Sequence, residues 1–145
     1  MTDYQDVMLP LSAEENQKLL SSQSLGRLVE RIGERIEVFP INFWSDGKRI
    51  VFRTAPGTKL AGLVAADEII LETDYVSEHS AWSVVARGTA RILEGEAEVA
   101  EAESLDLRPL IPTVKRVFVE ITIDRLDGRR FVLGNEPEAE PETIA

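Results

Sequence analysis

The run Phe52-Arg53-Thr54-Ala55-Pro56-Gly57-Thr58-Lys59 gathers an arginine, a lysine and two hydroxyls around a glycine turn. It reads as a strand end leading into a short helix. Free amides at a helix start, with the dipole behind them, favour an anion. Arg53 and Lys59 supply charge, and Thr54 and Thr58 supply hydroxyl donors of the kind a phosphate accepts. A plain N-cap at Thr58 with two solvated bases fits the same residues, and the pattern alone does not choose. The glycine spacing and Lys-Ser/Thr pair of a P-loop are missing, which argues against a nucleoside triphosphatase.

Pro40-Ile41-Asn42-Phe43 sets a polar Asn42 between large apolar residues just after a proline. Backbone groups there that a neighbouring strand leaves open suit a flat heterocycle, while a barrel corner with Asn42 bonded to backbone explains the same residues. Trp82-Ser83 opens a long alternating run, where Trp82 fits either a core position or a ligand stack. The chain's one histidine, His79, precedes Ser83 by only a few residues in a Ser-Glu-His-Ser loop, so an activated serine is not expected. Glu72 and Asp74 share a strand face, and ordinary alternation on an exposed face accounts for them.

Composition removes other chemistries. There is no cysteine, which excludes thiolate catalysis, zinc–thiolate sites and iron–sulfur clusters, and one histidine excludes a multi-histidine metal site. No metal site is expected. The chain has 145 residues with 16 basic and 26 acidic side chains, a net charge of −10. That charge repels nucleic acid and anionic lipid, and no basic run interleaved with aromatics offsets it. Nothing approaches the roughly 18 uninterrupted apolar residues of a spanning helix, and the acidic start lacks the features of a secretory signal. A soluble cytoplasmic protein without a membrane or nucleic-acid partner is expected.

The elements that must position these residues are mostly strands. Ser12-Ala13-Glu14-Glu15 has capping-box spacing and predicts a helix over about 12–22. Strands are expected over Leu25–Ile32, Ile36–Trp44, Arg49–Thr54, Glu68–Tyr75, Ala81–Leu93, Arg116–Arg125 and Arg129–Leu133. Pro40 requires an edge or bulge within the second of these, and Gly88 a bend or bulge in the long one. Ser45-Asp46-Gly47-Lys48 and Asp127-Gly128 read as turns. The Ile69-Ile70-Leu71 run suggests burial on both faces. Short helices are expected at Thr58–Ala66 and Glu94–Ser104. The sum is a mainly β chain with short helices, an antiparallel barrel forming a single domain over 1–134. The acidic tail over 135–145, with Glu136, Glu138, Glu140 and Glu142, is expected to be disordered.

Taken together, Gly26-Arg27-Leu28, Phe39-Pro40-Ile41-Asn42-Phe43, Ile50 to Leu60 and Trp82 to Ala90 resemble the pyridoxamine 5′-phosphate oxidase-like family of flavin-binding split barrels. The resemblance spans roughly Leu20 to Leu133 and looks closest to the branch that includes nitroimidazole-resistance-type proteins. It implies a six-stranded antiparallel split barrel, a homodimer with FMN at the interface, and a flavin-dependent oxidoreductase. By position it implies that Arg53, Thr54, Thr58 and Lys59 bind the FMN phosphate. The backbone of Pro40, Ile41, Asn42 and Phe43 would run along the isoalloxazine and ribityl chain. Ser83, with Trp82 beside it, would approach from the long strand, and Arg129 or Arg130 would reach across from the second subunit. Gly128-Arg129-Arg130-Phe131 departs from the Arg-x-His substrate motif of true pyridoxamine phosphate oxidases, which argues against vitamin B6 oxidation. Arg53 stands where many nitroimidazole-resistance relatives have a histidine, which argues against nitroreduction and favours a phosphate contact. The alternatives that keep the fold are an F420- or haem-binding barrel, with His79 the sole candidate axial ligand, and a non-catalytic flavin carrier or sensor.

Overall fold

The computed structural model describes residues 7–107 and 117–135. Its first helix, α1 (Ala13–Ser21), follows a three-residue strand, β1 (Met8–Pro10). Ser12 accepts from the Glu15 amide, and the Glu15 carboxylate accepts from the Ser12 amide, so the capping box forms as its spacing requires. The remaining elements are β2 (Leu25–Ile32), β3 (Arg35–Ser45), β4 (Arg49–Thr54), α2 (Thr58–Ala65), β5 (Ile69–Val76), β6 (Ser80–Ile92), α3 (Glu96–Glu103) and β7 (Val117–Val132).

All pairings are antiparallel, in the order β1-β7-β4-β3-β2-β5-β6, and β6 pairs again with β7. Strands β2 to β7 therefore close on themselves as a barrel, with β1 added at the edge of β7. Closure follows from the length of β7. Its first half pairs with β4 and its second half with β1, while β6 runs along its other edge throughout.

Alternation sorts the side chains. Leu28, Phe43, Ile50, Phe52, Leu71, Val84 and Ile121 face inward and are essentially fully buried. Burying each side chain of this size contributes about 1.5–3 kcal/mol. A second, smaller core lies outside the barrel, where α3 covers Val51, Leu93 and Phe118 with Ala102.

Pro40 sits where β3 has a neighbour on one side only, since it pairs with Arg27 on β2 while pairing with β4 stops at Phe43. The missing amide is thus placed where no β4 carbonyl awaits it. Gly88 marks the expected irregularity: its partner jumps from the Arg125 step to Ile123, leaving Asp124 as the extra residue on β7. A Cβ at Gly88 would lie 1.9 Å from the Thr122 carbonyl oxygen, so only glycine permits this approach.

Two expectations differ. Asp127-Gly128 is not a turn, and β7 runs straight through it as one strand. Glycine is needed there for close packing: a Cβ on Gly128 would stand 2.1 Å from Asn16 Oδ1 on α1, and Asp127 pairs with Arg125 at 2.7 Å. The Ile69-Ile70-Leu71 run is buried on one face only, with Ile70 half-buried on the other. Among the described residues no helix is long and apolar enough to cross a membrane. Of the acidic tail expected over 135–145, residues 136–145 lie outside the described residues.

Candidate functional site

β4 and α2 meet at Ala55-Pro56-Gly57. Gly57 is the N-cap of α2 with φ 154° and ψ −169°, a backbone region open to glycine and strained for other residues. Thr58 is therefore the first helical residue, and no side chain caps the helix start. The first turn holds no acid. The first intrahelical donor into this end is the Ala61 amide, 3.0 Å from the Gly57 carbonyl, so the amides before it point out of the helix start. The positive end of the helix dipole is open.

Two cations flank it, each held by an aromatic ring. The Arg53 guanidinium carbon lies 4.9 Å from the Phe118 ring centroid, and Lys59 Nζ lies 4.7 Å from that of Phe39. Arg53 Nε is buried with no hydrogen-bond partner. A buried guanidinium donor without an acceptor is costly, and an anion at this junction would satisfy it. Thr54 is buried at the strand end, and Thr58 is exposed on the first turn. Arg53 and Thr54 thus leave the end of β4 on opposite faces, and Thr58 and Lys59 open α2 across the Ala55-Pro56-Gly57 turn.

The neighbouring strands extend this cluster into a row. The Phe43–Phe52 pair sets Asn42 beside Arg53, and Leu25 pairs with Asn42 on the next strand. Thr73 Oγ1 donates to the Leu25 carbonyl at 2.9 Å, which brings Asp74 alongside, and Asp74 pairs with Ser83. Arg53, Asn42, Leu25, Asp74 and Ser83 therefore lie across five adjacent strands, a span of about 19 Å at ~4.8 Å per strand. Phe43, Phe52 and Val84 point inward, so this row lies on the outer face. Pro40 shares that face with Asn42, while Ile41 is buried inside with Phe43.

Trp82 goes the other way. It is half-buried and packs on the main core, on the opposite side of β6 from Ser83. Ser83 instead lines an outer cavity of about 620 Å³ with Asn16, Arg87, Arg125 and Arg129 among its walls. Arg130 faces away and pairs with Glu15 at 3.6 Å. His79 is exposed in the Ser77–Ser80 turn.

Glu72 and Asp74 are bound by Arg27, whose guanidinium donates to Glu72 at 2.5 Å and to Asp74 at 2.6 Å. Burial pushes the Glu72 carboxyl above its usual range, whereas hydrogen bonding with Glu72 holds Asp74 below its own. The pair is tied up structurally, as alternation implied.

Two residues escape a reading of the sequence. Asn16 on α1 is buried, donates to the Leu126 carbonyl at 3.3 Å and leaves Oδ1 without a partner. Its spacing with Leu19 and Leu20 is the signal that places it on the buried face. Glu30 occupies an inward position of β2 in line with Gly26 and Leu28, and both its oxygens lack partners.

Comparison with known proteins bears on the whole architecture. A family model described as pyridoxamine 5′-phosphate oxidase matches residues 12–130. A solved structure from Corynebacterium glutamicum, named only provisionally as such an oxidase, is 39% identical with a TM-score of 0.82. The match covers 92% of this chain and 100% of that one. The FAD binding protein of Mycobacterium smegmatis is 36% identical with a TM-score of 0.74, over 86% of this chain and 98% of that one. A provisionally named 5-nitroimidazole antibiotic resistance protein from Bacteroides thetaiotaomicron has a TM-score of 0.71 over 90% of this chain and 95% of that one. At 13% identity that likeness is one of fold.

Proposed function

The chain belongs to the pyridoxamine 5′-phosphate oxidase family, and from that premise we propose that it binds FMN, with the phosphate at the β4–α2 junction, and serves as a flavin-dependent oxidoreductase. The observation that carries the reading is the buried Arg53 Nε without an acceptor, set beside an uncapped helix start. Arg53 and Lys59 neutralise the phosphate, Thr54 and Thr58 donate to its oxygens, and the amides of the first turn of α2 complete the cradle. Gly57 lets the backbone approach without a Cβ in the way. The outer backbone edge of Pro40, Ile41, Asn42 and Phe43, which lacks a β4 partner at its start, takes the isoalloxazine and ribityl chain.

When bound, the flavin supplies the hydride and electron chemistry. The protein's residues bind and orient it and limit water at one face, and no dedicated acid or base is assigned.

Ser83 on the outer row belongs to the same site, contributed across a homodimer interface, and Arg129 reaches toward the cofactor from the partner. Trp82, turned to the core on the opposite side of β6, supports the strand behind Ser83. Support for self-association comes from the exposed apolar residues on that outer face, with Ile36 63%, Val38 58% and Leu25 44% exposed. The oxidoreductase acts in the cytoplasm.

The test is a titration of purified protein with FMN and FAD by flavin fluorescence, and with F420 and haem by absorbance, alongside sedimentation for the dimer. Saturable FMN binding by a dimer is the expected result. Binding of FAD in preference to FMN, as the name of the mycobacterial relative suggests for that protein, would keep the cradle and change the cofactor. Failure of both flavins to bind would remove the reading.

A further inference from the structure

The outer cavity that Ser83 lines, of about 620 Å³, lies where β6, β7 and β1 run side by side. Their register fixes which side chains share its wall. Ser83 pairs with Arg129, Val85 with Asp127 and Arg87 with Arg125, and Arg129 pairs in turn with Pro10 on β1. Val84 and Ala86, which alternate with these on β6, are buried in the core, so the paired set points outward together. Three arginines against one aspartate make this wall basic in a chain whose net charge is −10.

One of these charges is left over. Asp127 accepts from Arg125 at 2.7 Å and faces Arg87 at 3.6 Å. Among the described residues the Arg129 side chain has no ion pair or hydrogen bond, and neither has the Ser83 hydroxyl opposite it. Apolar surface flanks the pair, with Phe131 next along the same face of β7 and Val85 next along that of β6, both half-buried. A guanidinium presents two parallel N–H donors that match the two oxygens of a carboxylate, and the hydroxyl adds one more donor. A second negative charge would find Arg87 and Arg125 already facing Asp127. The wall therefore favours one carboxylate on an apolar body, and a cavity of this size suits a ligand of about one or two rings.

We infer that this cavity binds a small organic acid with a flat apolar body, its carboxylate held by Arg129 and Ser83 and its body lying on Phe131 and Val85. Asp127 stands between Arg129 and Arg125 on β7, so its charge opposes the acid while its two arginines offset that opposition. Ser83 also ends the row that leads back through Asp74, Leu25 and Asn42 to Arg53. As the substrate class of an oxidoreductase the assignment rests on the flavin reading above. Binding of the acid itself needs no flavin, because every residue invoked belongs to the chain.

The experiment is a calorimetric titration of the full chain, free of added flavin, with 2-naphthoate, and with 2-naphthamide and inorganic phosphate as controls at matched ionic strength. Saturable binding of 2-naphthoate is expected, with the neutral amide about tenfold weaker or more and phosphate without effect. Arg129→Gln should weaken 2-naphthoate by about tenfold or more. Asp127→Asn should tighten it a few-fold, since it removes an opposing charge and releases two cations. Arg31→Gln, on β2 away from the cavity, should change nothing. All three positions are exposed, and circular dichroism checks that the variants fold. With FMN added, the acid should stay bound and shift the flavin absorption bands. If FMN itself fails to bind, the flavin reading falls, and the titration without flavin still decides the carboxylate site. No binding of 2-naphthoate, equal binding of the amide, or binding untouched by Arg129→Gln would overturn the inference. Displacement of the acid by FMN would overturn it too, the cavity then being part of the cofactor's own site.

Discussion

Helices α2 and α3 have the same length and both begin at an uncapped glycine, yet one end is open and the other is closed. The first turn of α3 carries Glu96 and Glu98, so its own acids answer the positive end of the dipole. Its charges are then fastened to the barrel. Arg91 pairs with Glu98 at 2.8 Å, Arg49 pairs with Glu101, and both arginines reach Glu120. The first turn of α2 holds no acid and instead carries Lys59, a second positive charge where the dipole is already positive. Beside it Arg53 leaves a buried donor open, and beneath it Glu30 leaves two acceptors open. The α3 side spends its charges on structure, while the α2 side leaves the buried Arg53 Nε and both Glu30 oxygens without hydrogen-bond partners. Unsatisfied groups on a helix that folds in place are what a ligand site requires. The two regions also touch, because Phe118 of the small core under α3 is the ring on which Arg53 rests.

The largest expected effect removes the α2 charges. Arg53→Ala with Lys59→Ala deletes two charge-assisted contacts of roughly 1.5–3 kcal/mol each, so FMN affinity should fall about a hundredfold or more in a fluorescence titration. The matching change on the other side, Arg49→Ala with Arg91→Ala, should leave FMN affinity alone. It strands Glu120, whose side chain is only 12% exposed, and should lower the melting temperature by about 2–8 °C. An equal loss of FMN affinity in both double variants would erase the distinction between the helices.

Next come the two glycine caps. Gly57→Ala places a side chain at φ 154° and should cost on the order of 1–3 kcal/mol, with weaker FMN binding as the helix start shifts. Gly95 has an ordinary φ of −69°, so Gly95→Ala should cost about half a kcal/mol, seen in denaturant melts.

The smallest effect is in pH, and it has opposite sign on the two sides. The Arg91 hydrogen bond holds Glu98 below the ordinary 4.5, so its contribution is present above that pH and is lost as pH falls through the depressed value. Glu30 is raised, so the folded state holds its proton longer than the unfolded chain does. Stability from Glu30 is therefore complete below 4.5 and declines as pH climbs through the raised value. Glu30→Gln should raise the melting temperature near neutral pH and flatten that decline, whereas Glu98→Gln should flatten the acid limb. Melting curves across pH 3–8 separate the two, and a Glu30→Gln protein with an unchanged profile would mean Glu30 is not held protonated.

Local signals were enough where local chemistry decides. The Ser12–Glu15 box, the one-sided pairing at Pro40 and the irregularity at Gly88 each follow from residue type and near neighbours. Arg53, Thr54, Thr58 and Lys59 stand out in the sequence for a similar reason, since they lie on one short stretch of chain. Asp127-Gly128 misleads because glycine serves two purposes, and here it makes room for Asn16 rather than reversing the strand. Ser83 joins the outer row only through the register of four strand pairs, and Trp82 is turned inward by the same register. Glu30 is hidden for a related reason: its position is polar in the sequence, and only the placement of α2 over it makes it buried.

The central claim is that the open end of α2 holds a phosphate, and the direct measurement compares FMN with riboflavin on the wild type and on the Arg53→Ala/Lys59→Ala variant. Riboflavin keeps the ring and lacks the phosphate. The wild type should bind FMN at least a hundredfold more tightly than riboflavin, consistent with about 3 kcal/mol from charge-assisted bonds, and the double variant should bind the two alike. Equal affinity for FMN and riboflavin in the wild type, or a preference for FMN that survives both substitutions, would contradict the account.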